Sequence, residues 1–324
     1  MDAILHATAG NPVPENHVAG FFKGHGGVNL RYALFRSATS VAKGTVVLLH
    51  GRNETIEKYF ETINELTAQG LWVATFDLRG QGGSQRLLKN PRLGHVRSFR
   101  HYERDLEIFL EHIVLPDCRL PFFLLAHSTG GLIALSAAPR LANRIDRMVL
   151  SAPFVGLGKQ PVSPRTLYLM SLVASWTGFG RMTFTADGPP KPFDDNPVTS
   201  DMVRYQRNAA INAAHPELEL GPPTARWLYE AQKAMRRVTK PSHLTRITVP
   251  TVMISPARDT VVSYAAQEKL SQYFRAGQLV PVPGARHEIL QERDRFRSQA
   301  MAAISTFIPG SGNDELSDAV SLDS

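Results

Sequence analysis

The stretch FFLLAHSTGG, residues 122–131, joins an apolar run directly to a polar, glycine-rich turn. The apolar run predicts a buried strand, and the small residues after it predict a tight turn into a helix. Ser128 has Ala126 two positions before it and Gly130 two positions after it. A strained strand-to-helix turn needs small residues at both positions, because it brings two backbones together and holds the central Ser at the edge of the sheet. The stretch therefore predicts a nucleophilic serine. The alternative, an N-cap serine, would not explain the small residues on both sides.

Strands and helices alternate on both sides of this stretch. Continuous apolar, β-rich runs predict strands that are covered on both faces; these runs are residues 45–50, 71–77, 121–126, 147–151, 251–255 and 278–282. Apolar residues at helical spacing predict helices over 55–69, 101–114, 129–140, 263–274 and 292–307. This alternation indicates an α/β protein with a mostly parallel central sheet and helices on both faces.

The alternation of predicted strands and helices divides the chain into a core and an insertion. It holds over residues 21–152 and 246–308, which we expect to form the core. Between them, residues 153–245 are rich in Pro, Gly, Arg and Trp and show helical pieces but no clear strand. This range predicts an inserted helical cap over the carboxyl edge of the sheet. Residues 1–20 predict a loose N-terminal segment, and residues 309–324 predict a disordered acidic tail.

An activated serine needs a base, and the base needs an acid that orients it. On this scaffold the three residues follow in the order Ser, acid, His. The stretch TVMISPARDTVV places Asp259 just after a strand, and VPVPGARHEIL places His287 just after the last strand. Since the carboxyl ends of parallel strands meet at one edge of a sheet, we expect both side chains near Ser128. Asp259 is the predicted acid and His287 the predicted base.

Acyl transfer also needs two N–H donors for the oxyanion. One is the backbone N–H of the residue after the nucleophile, Thr129, and the other comes from the loop after an earlier strand. The stretch VVLLHGRNE ends a strand at His50 and turns at Gly51, so the N–H of Arg52 is the expected second donor. His50 is expected to brace this loop by hydrogen bonding. The alternative is an ordinary turn.

Three further polar residues near these motifs are expected to have structural roles. His127 precedes the serine, and its side chain is expected to point away into the core. Asp77 ends a strand before the catalytic serine in the chain, so we interpret it as a loop anchor and not as the acid. Glu288 directly follows His287, so its side chain is expected to point away from the imidazole, and Asp259 remains the predicted acid.

The charge balance limits the partners. The net charge is +7, although the last sixteen residues carry four acids and no Lys or Arg, so the rest of the chain is more basic. A basic surface can favour anionic lipid or nucleic acid, with a plain solvated surface as the alternative. No nucleic-acid motif accompanies the charge, so we predict no nucleic-acid partner and leave peripheral contact with an anionic membrane open.

The cysteine content and the start of the chain bear on location. Cys118 is the one cysteine, so an intramolecular disulfide is excluded and nothing indicates secretion. The first residues lack a basic region and a long apolar core, and no run reaches the ~20 apolar residues that span a bilayer. We therefore expect a cytoplasmic protein that is soluble or peripheral at the inner face of a membrane. No metal-type Cys/His cluster is evident, so no metal is predicted.

The motifs together resemble a known family. LLHG, FDLRGQGGS, HSTGG, ARDTVV and GARHE, in this order, resemble the serine hydrolases of the α/β-hydrolase superfamily. They are most similar to the group that contains lysophospholipase L2 and the monoacylglycerol lipases. GHVRSFRHYERDLEIFL (94–110) and GPPTARWLYEA (221–231) also resemble this group. The resemblance extends over about residues 20–307.

The resemblance implies an α/β-hydrolase fold with a helical cap, no cofactor and a serine esterase that forms an acyl-enzyme. Carried over by motif, the nucleophile is Ser128, the acid is Asp259 and the base is His287. The oxyanion donors are Arg52 and Thr129. The sequence departs from the family at residue 126, where Ala replaces the usual Gly, and at residue 52, where monoacylglycerol lipases often have a small residue.

The resemblance implies a lysophospholipase or a monoacylglycerol lipase as the function. A carboxylesterase, an acyltransferase or an aminopeptidase could use the same triad, although a peptidase would need an acidic group to hold the substrate amine, and none is identified. A non-catalytic binding protein on this scaffold is a further alternative. The sequence leaves the acyl chain length, the head group, the oligomeric state and cap movement open.

Two sets of cap residues are candidates for contact with the substrate. The apolar stretch LYLMSLVASW (167–176) and Trp227 could line an acyl channel or could pack the cap onto the sheet. Basic residues could favour a phosphate-bearing head group, with plain surface as the alternative; they are Arg52, Arg204, Arg207, Arg226, Arg236 and Arg237.

Overall fold

An eight-stranded sheet forms the centre of the computed structural model, which describes residues 4–39, 41–188 and 191–308. The strand order is β1-β2-β4-β3-β5-β6-β7-β8. β2 pairs antiparallel with β1 and β4, and every other pairing is parallel. The strands are β1 (His17–Lys23), β2 (Asn29–Phe35), β3 (Gly44–Leu49), β4 (Leu71–Phe76), β5 (Phe122–His127), β6 (Arg147–Ser151), β7 (Thr251–Pro256) and β8 (Gly277–Val282).

Helices cover both faces of this sheet. The α-helices are α1 (Phe60–Ala68), α2 (Arg100–Phe109), α3 (Leu115–Asp117), α4 (Thr129–Ala137), α5 (Pro164–Trp176), α6 (Met202–Ala214), α7 (Ala225–Val238), α8 (Pro241–Leu244), α9 (Tyr264–Ser271) and α10 (Asp294–Phe307). A π-helical segment, Leu110–Val114, continues α2, and 3-10 turns flank α1 and α4. The predicted α/β architecture is confirmed, and the bounds of the predicted elements differ by a few residues at their ends.

The central strands are apolar throughout because each face of the sheet has its own hydrophobic core. In β5, Phe122 and Leu124 pack in one core with α2, α4 and α7. Phe123 and Leu125 alternate with them and pack in the other core with α1 and α10. A strand that is buried on both faces has apolar residues at every position, so its sequence is a continuous apolar run.

The N-terminal part of the chain differs from the sequence analysis. The expectation of a loose segment over residues 1–20 was wrong for the described residues, since β1 begins at His17 and Leu5 is already buried. The side-chain amide of Asn11 also donates to the carbonyl of Glu57, at 3.0 Å. β1 and β2 were missed because they form an antiparallel hairpin at the sheet edge. β1 is mostly accessible to solvent, so its sequence lacks the apolar run of a buried strand.

Helices α5 to α8 lie within residues 153–245, the range that predicts a cap. In the described part of this range no segment joins the sheet. Helix α7 packs onto the core through Trp227, whose indole N–H donates to the hydroxyl of Tyr102 at 3.1 Å. The bounds of the cap as a separate unit stay a prediction, and the acidic tail, 309–324, lies outside the described residues.

Across the part of the chain that the structure describes, none of the helices is long and apolar enough to cross a bilayer.

Candidate active site

Ser128 lies on the turn between β5 and α4, at the carboxyl edge of the sheet. Its backbone, with φ of 50° and ψ of −112°, lies outside the regions that L-residues ordinarily adopt, so the turn is strained. A β-carbon at Gly130 would lie 2.5 Å from the carbonyl oxygen of Leu49, so the position requires glycine. Ala126 is fully buried opposite Leu49, and the sheet accommodates its methyl group.

The structure brings Ser128, His287 and Asp259 together. Nε2 of His287 is 3.0 Å from Oγ of Ser128, and Nδ1 of His287 is 2.7 Å from Oδ2 of Asp259. The other oxygen of Asp259 accepts the backbone N–H groups of Val261 and Val262, at 2.8 and 2.9 Å. With the Nδ1 proton donated to Asp259, the Nε2 lone pair faces the serine hydroxyl. The arrangement can move a proton from Ser128 to His287.

The two expected N–H donors lie in the wall of the same cavity. Arg52 and Thr129 both line it, and neither backbone N–H donates to any of the described residues. His50 braces the first loop, as the sequence predicts. Its Nε2 accepts the N–H of Leu78 at 3.2 Å, so the proton is on Nδ1, which lies 2.7 Å from the carbonyl oxygen of Gly51.

An ion chain that the sequence analysis missed connects two of these loops. The carboxylate of Glu54 accepts the backbone N–H of Gly51 and is 2.8 Å from Nζ of Lys58. The same ammonium is 2.6 Å from the carboxylate of Glu288, the residue after His287. The only sequence signal is the spacing of Glu54 and Lys58, which suits a helical i,i+4 pair; the contact with Glu288 has no local signal.

The charges of Glu54 and Lys58 are stabilised by the oppositely charged groups beside them. Burial acts to lower the pKa of Lys58, but Glu288 and Glu54 outweigh it and raise that pKa above its usual range. Burial acts to raise the pKa of Glu54, but Lys58 and His127 outweigh it and lower that pKa. Lys58 and Glu54 therefore stay ionised at neutral pH, and Lys58 is already paired with both Glu54 and Glu288.

His127 differs from the sequence analysis. The expectation that it points away from the site was wrong, because its ring centroid lies 4.9 Å from that of His287 and it lines the cavity. It shares a face of β5 with Leu125, but at the end of the strand that face meets Glu54 and the His287 loop. Burial is the main cause that lowers the pKa of His127 to about 4, so it is neutral at pH 7.

Asp77 anchors loops, as the sequence predicts, and Glu288 points to Lys58 and not to the imidazole. Asp77 accepts Nε of Arg31 and the backbone N–H of Gly83, each at 2.7 Å, and the N–H of Ile56 at 3.1 Å. It therefore anchors loops on its own side of the sheet. Glu288 pairs with Lys58, while Asp259 contacts the imidazole.

A cavity of about 370 Å³ opens over Ser128. Much of its wall is apolar; the apolar residues are Phe154, Leu157, Leu167, Phe184, Val198, Pro223, Trp227, Leu228 and Val261. Trp227 lines this cavity, in agreement with the expectation that it could line an acyl channel. Of the stretch 167–176, only Leu167 does, and Leu169, Val173 and Trp176 are exposed instead. α5 turns one side to the cavity and core and the other outward.

A second cavity, of about 590 Å³ and more polar, shares four lining residues with the first. These are Arg52, Glu54, Val198 and Glu288. The cap arginines that the sequence analysis grouped with Arg52 line neither cavity. Four of them pair with carboxylates; the pairs are Arg204 and Arg207 with Glu61, Arg226 with Glu230, and Arg237 with Glu103, while Arg236 lies over the ring of Tyr168.

Among the described residues, one group of potential metal ligands is present, and its three members line neither cavity. Nitrogen or oxygen atoms of His6, His215 and Glu217 lie within 4.8 Å of one another. The sequence shows no metal-type cluster, because His6 is far along the chain from His215 and Glu217. None of the three lines the cavity over Ser128.

Loss of the central ammonium should destabilise the fold. We expect Lys58→Met to lower the free energy of unfolding by about 3–5 kcal/mol, because it leaves the buried carboxylates of Glu54 and Glu288 without a counter-charge. The Lys58 side chain is 11% exposed. Lys233→Met is the control, since Lys233 pairs with Glu230 but is 54% exposed, and its loss should stay below about 1 kcal/mol. Urea denaturation measures both, and equal losses would contradict the role of the ion chain.

Comparisons with known proteins agree on the family. The family model described as "Serine aminopeptidase, S33" matches residues 40–294. Lysophospholipase L2 of Escherichia coli is 31% identical over 295 residues, which cover 88% of this chain and 86% of that protein. Monoglyceride lipase of Saccharomyces cerevisiae is 25% identical over 269 residues, which cover 78% and 80% of the two chains.

A solved structure shows the same fold. It is a soluble variant of the Saccharomyces cerevisiae monoglyceride lipase in complex with a substrate analogue, with a TM-score of 0.74 at 21% identity. The match covers 94% of this chain and 98% of that chain. The sheet order, the turn at Ser128 and these comparisons lead to one conclusion: the chain belongs to the serine aminopeptidase S33 family of α/β-hydrolases, in which it is similar to lysophospholipase L2 and monoglyceride lipases.

Proposed function

We propose that this protein hydrolyses the carboxylic ester bond of lysophospholipids or monoacylglycerols with Ser128 as the nucleophile. The observation that carries the proposal is the hydrogen-bonded line from Ser128 Oγ to His287 at 3.0 Å and on to Asp259 at 2.7 Å. A serine on a strained turn, aligned with a base that an acid orients, is the arrangement that covalent acyl transfer needs.

The proposed reaction uses the hydrogen-bonded Ser128, His287 and Asp259 in two steps. His287 accepts the proton of the Ser128 hydroxyl as Oγ attacks the ester carbonyl carbon, and the N–H groups of Arg52 and Thr129 bind the oxyanion. The imidazolium, held by Asp259, then protonates the leaving alcohol, which departs and leaves an acyl-enzyme. Water attacks that ester with His287 again as the base, and the fatty acid leaves.

The cavity supports an acyl lipid as the substrate. Its apolar wall, which includes Phe154, Leu167 and Trp227, suits a hydrocarbon chain that ends at Ser128. Lysophospholipase L2 and monoglyceride lipases, to which the chain is similar, are named for such substrates. No cofactor enters the proposed reaction.

The family description suggests a peptidase as the second candidate, and the charges near Ser128 disfavour it. An aminopeptidase needs a free carboxylate to hold the substrate amine. The two acids that line the cavity, Glu54 and Glu288, are both bonded to Lys58. Their charge is therefore largely compensated before a substrate arrives.

The test compares three substrates in one assay. Fatty-acid release is measured from a lysophospholipid and a monoacylglycerol of equal chain length, and amine release from an alanine p-nitroanilide, with Ser128→Ala as the blank. We expect release of fatty acid above the blank from at least one lipid. Cleavage of the anilide alone would replace the lipase proposal with a peptidase, and no cleavage at all would contradict both.

We also propose that the outer side of α5 contacts a lipid surface. Trp176 and Val173 are 76% and 58% exposed, and Phe179 continues the apolar surface beyond the helix. The exposed Arg165 and Arg181 lie in and beside this segment, as suits contact with anionic lipid. The cytoplasmic location and the lack of a nucleic-acid partner stay predictions from the sequence.

Removing the most exposed aromatic ring should weaken this contact. We expect Trp176→Ser to reduce partition onto phosphatidylcholine vesicles that contain phosphatidylglycerol by about tenfold, because the ring no longer leaves water. Tyr273→Ser is the control, since Tyr273 is 49% exposed on the core outside the cap. Vesicle sedimentation measures the partition of both variants. An equal reduction in the two would show that α5 is not the lipid-contacting surface.

A further inference from the structure

We propose that the guanidinium of Arg52 binds the phosphate of the substrate head group and so gives the site a preference for lysophospholipids over uncharged monoacylglycerols. The inference rests on the proposed function and deepens it. It adds a side-chain role to a residue whose backbone N–H is assigned to the oxyanion.

Arg52 lies where a head group would leave the acyl cavity. It lines the apolar cavity over Ser128 and also the adjoining polar cavity of about 590 Å³. An ester lipid whose chain occupies the first cavity has its carbonyl at Ser128, and its glycerol and head group must point toward a polar space. Arg52 stands at that boundary.

Arg52 keeps free donor capacity there. Among the described residues, no carboxylate lies within 4 Å of its guanidinium, whereas the nearby Arg92 pairs with both Asp187 and Glu219. Its Nη2 donates to the carbonyl of Gly221, and its other nitrogens have no hydrogen-bond partner among the residues described. An arginine has five N–H donors in a planar fork that suits phosphate, so donors remain on the two Nη atoms beyond the one that bonds to Gly221.

The surroundings hold this cation in place without neutralising it. The guanidinium carbon lies 5.5 Å from the ring centroid of Trp227, in a cation–π contact. A β-carbon at Gly94 would come within 3.1 Å of Nη2, so this glycine leaves room for the fork. The positions of these neighbours pre-organise the guanidinium toward the cavity boundary.

No carboxylate among the described residues offsets the cost of burying this charge. Burial lowers the pKa of Arg52 to about 10, and only Tyr102 acts in the opposite direction. The group is still a cation at neutral pH. A bound phosphate would supply the counter-charge, and a charge-assisted pair in such surroundings is stronger than one in water.

The reach of the side chain matches the substrate. In a 1-acyl lysophospholipid about six covalent bonds separate the ester carbonyl carbon from phosphorus, and about six separate an arginine's backbone nitrogen from its guanidinium carbon. One residue can therefore hold the oxyanion with its N–H and the phosphate with its side chain. A monoacylglycerol offers only a hydroxyl at the corresponding distance.

The test measures kcat/KM for a lysophosphatidylglycerol and for a monoacylglycerol with the same acyl chain. Because Arg52 also supplies a backbone donor, the readout is the ratio of the two values, in which any common loss cancels. We expect Arg52→Met to lower the ratio of lysophospholipid to monoacylglycerol by about 10- to 100-fold, mainly through KM. Arg52→Lys should restore part of it, because it keeps the charge but not the fork.

Arg86→Met is the matched control. Arg86 also tethers the cap, since it donates to the carbonyls of Glu217 and Glu219, but it lines neither cavity. We expect its ratio to equal that of the wild type. If Arg52 only tethers the cap through Gly221, the two methionine variants will behave alike and the inference fails. Thermal unfolding of each variant shows that it is folded.

Inorganic phosphate as an inhibitor of monoacylglycerol hydrolysis separates a head group from a free anion. One outcome is that phosphate inhibits the wild type but not Arg52→Met, while both proteins have the same kcat/KM ratio of lysophospholipid to monoacylglycerol. That result would overturn the head-group inference in favour of a free-phosphate site. Hydrolysis of both lipids with a ratio insensitive to Arg52→Met would overturn the inference and leave the proposed function intact. Wild-type protein that cleaves neither lipid would contradict the proposed function itself.

Discussion

Ser128→Ala should lower kcat for ester hydrolysis by about 10⁴- to 10⁶-fold, since it removes the atom that attacks the carbonyl. The remaining activity would come from the oxyanion donors and substrate binding alone. The hydroxyl makes one contact with a side chain, His287 Nε2 at 3.0 Å, so the variant should fold normally. Single-turnover fatty-acid release and urea denaturation of the same preparation measure both effects.

A glycine at the same position separates chemistry from strain. Ser128→Gly should be as inactive as Ser128→Ala but more stable than it by about 1–2 kcal/mol, because only glycine adopts φ of 50° with ψ of −112° without cost. The gain is reduced by the added freedom of the unfolded chain. Equal stability of the two variants would show that the turn is not strained. Retained activity in either would exclude Ser128 as the nucleophile.

Asp259→Asn should lower kcat by about 10⁴-fold with little change in stability. Nδ1 of His287 lies 2.7 Å from Oδ2 of Asp259, and a carboxylate can only accept a proton there. An amide can donate to Nδ1, which moves the imidazole proton to Nε2 and removes the lone pair that faces Ser128. Steady-state kinetics of lipid hydrolysis gives the loss.

Glu288→Gln tests the other carboxylate near the same histidine. Glu288 lies 2.6 Å from Nζ of Lys58 and, among the described residues, makes no ion pair with the imidazole of His287, so we expect a loss far smaller than that of Asp259→Asn. The two substitutions change charge and size equally. A loss at Glu288 as large as that at Asp259 would exchange the roles of the two acids.

The parts of the fold and site with local signals could be predicted from sequence. The turn at Ser128 needs small residues at fixed positions, and β5 is buried on both faces, so each leaves a pattern in neighbouring residues. Asp259 and His287 were found because strand ends in a parallel sheet meet at one edge. Their distances to each other follow from the sheet and not from the local sequence.

The rest depends on contacts between distant parts of the chain. The bond of Lys58 to Glu288 joins residues on loops that only the folded sheet brings together, and no pattern in either loop indicates it. The side-chain direction of His127 was mispredicted for the same reason, since what covers the end of β5 comes from elsewhere. The exposed side of α5 was not predicted, because an apolar stretch does not show which of its residues the rest of the protein covers.

The sheet order has a consequence for how this architecture varies. β6 and β7 lie side by side and in register, with Met148 opposite Thr251, although some hundred residues separate them in the chain. The serine lies upstream of that interruption, and the acid and the histidine lie downstream. Segments of very different length can therefore connect the two strands without altering the distance between Ser128 Oγ and His287 Nε2. The intervening residues include Leu167 and Trp227 of the cavity wall, so the shape of the cavity can change while Ser128, Asp259 and His287 keep their alignment.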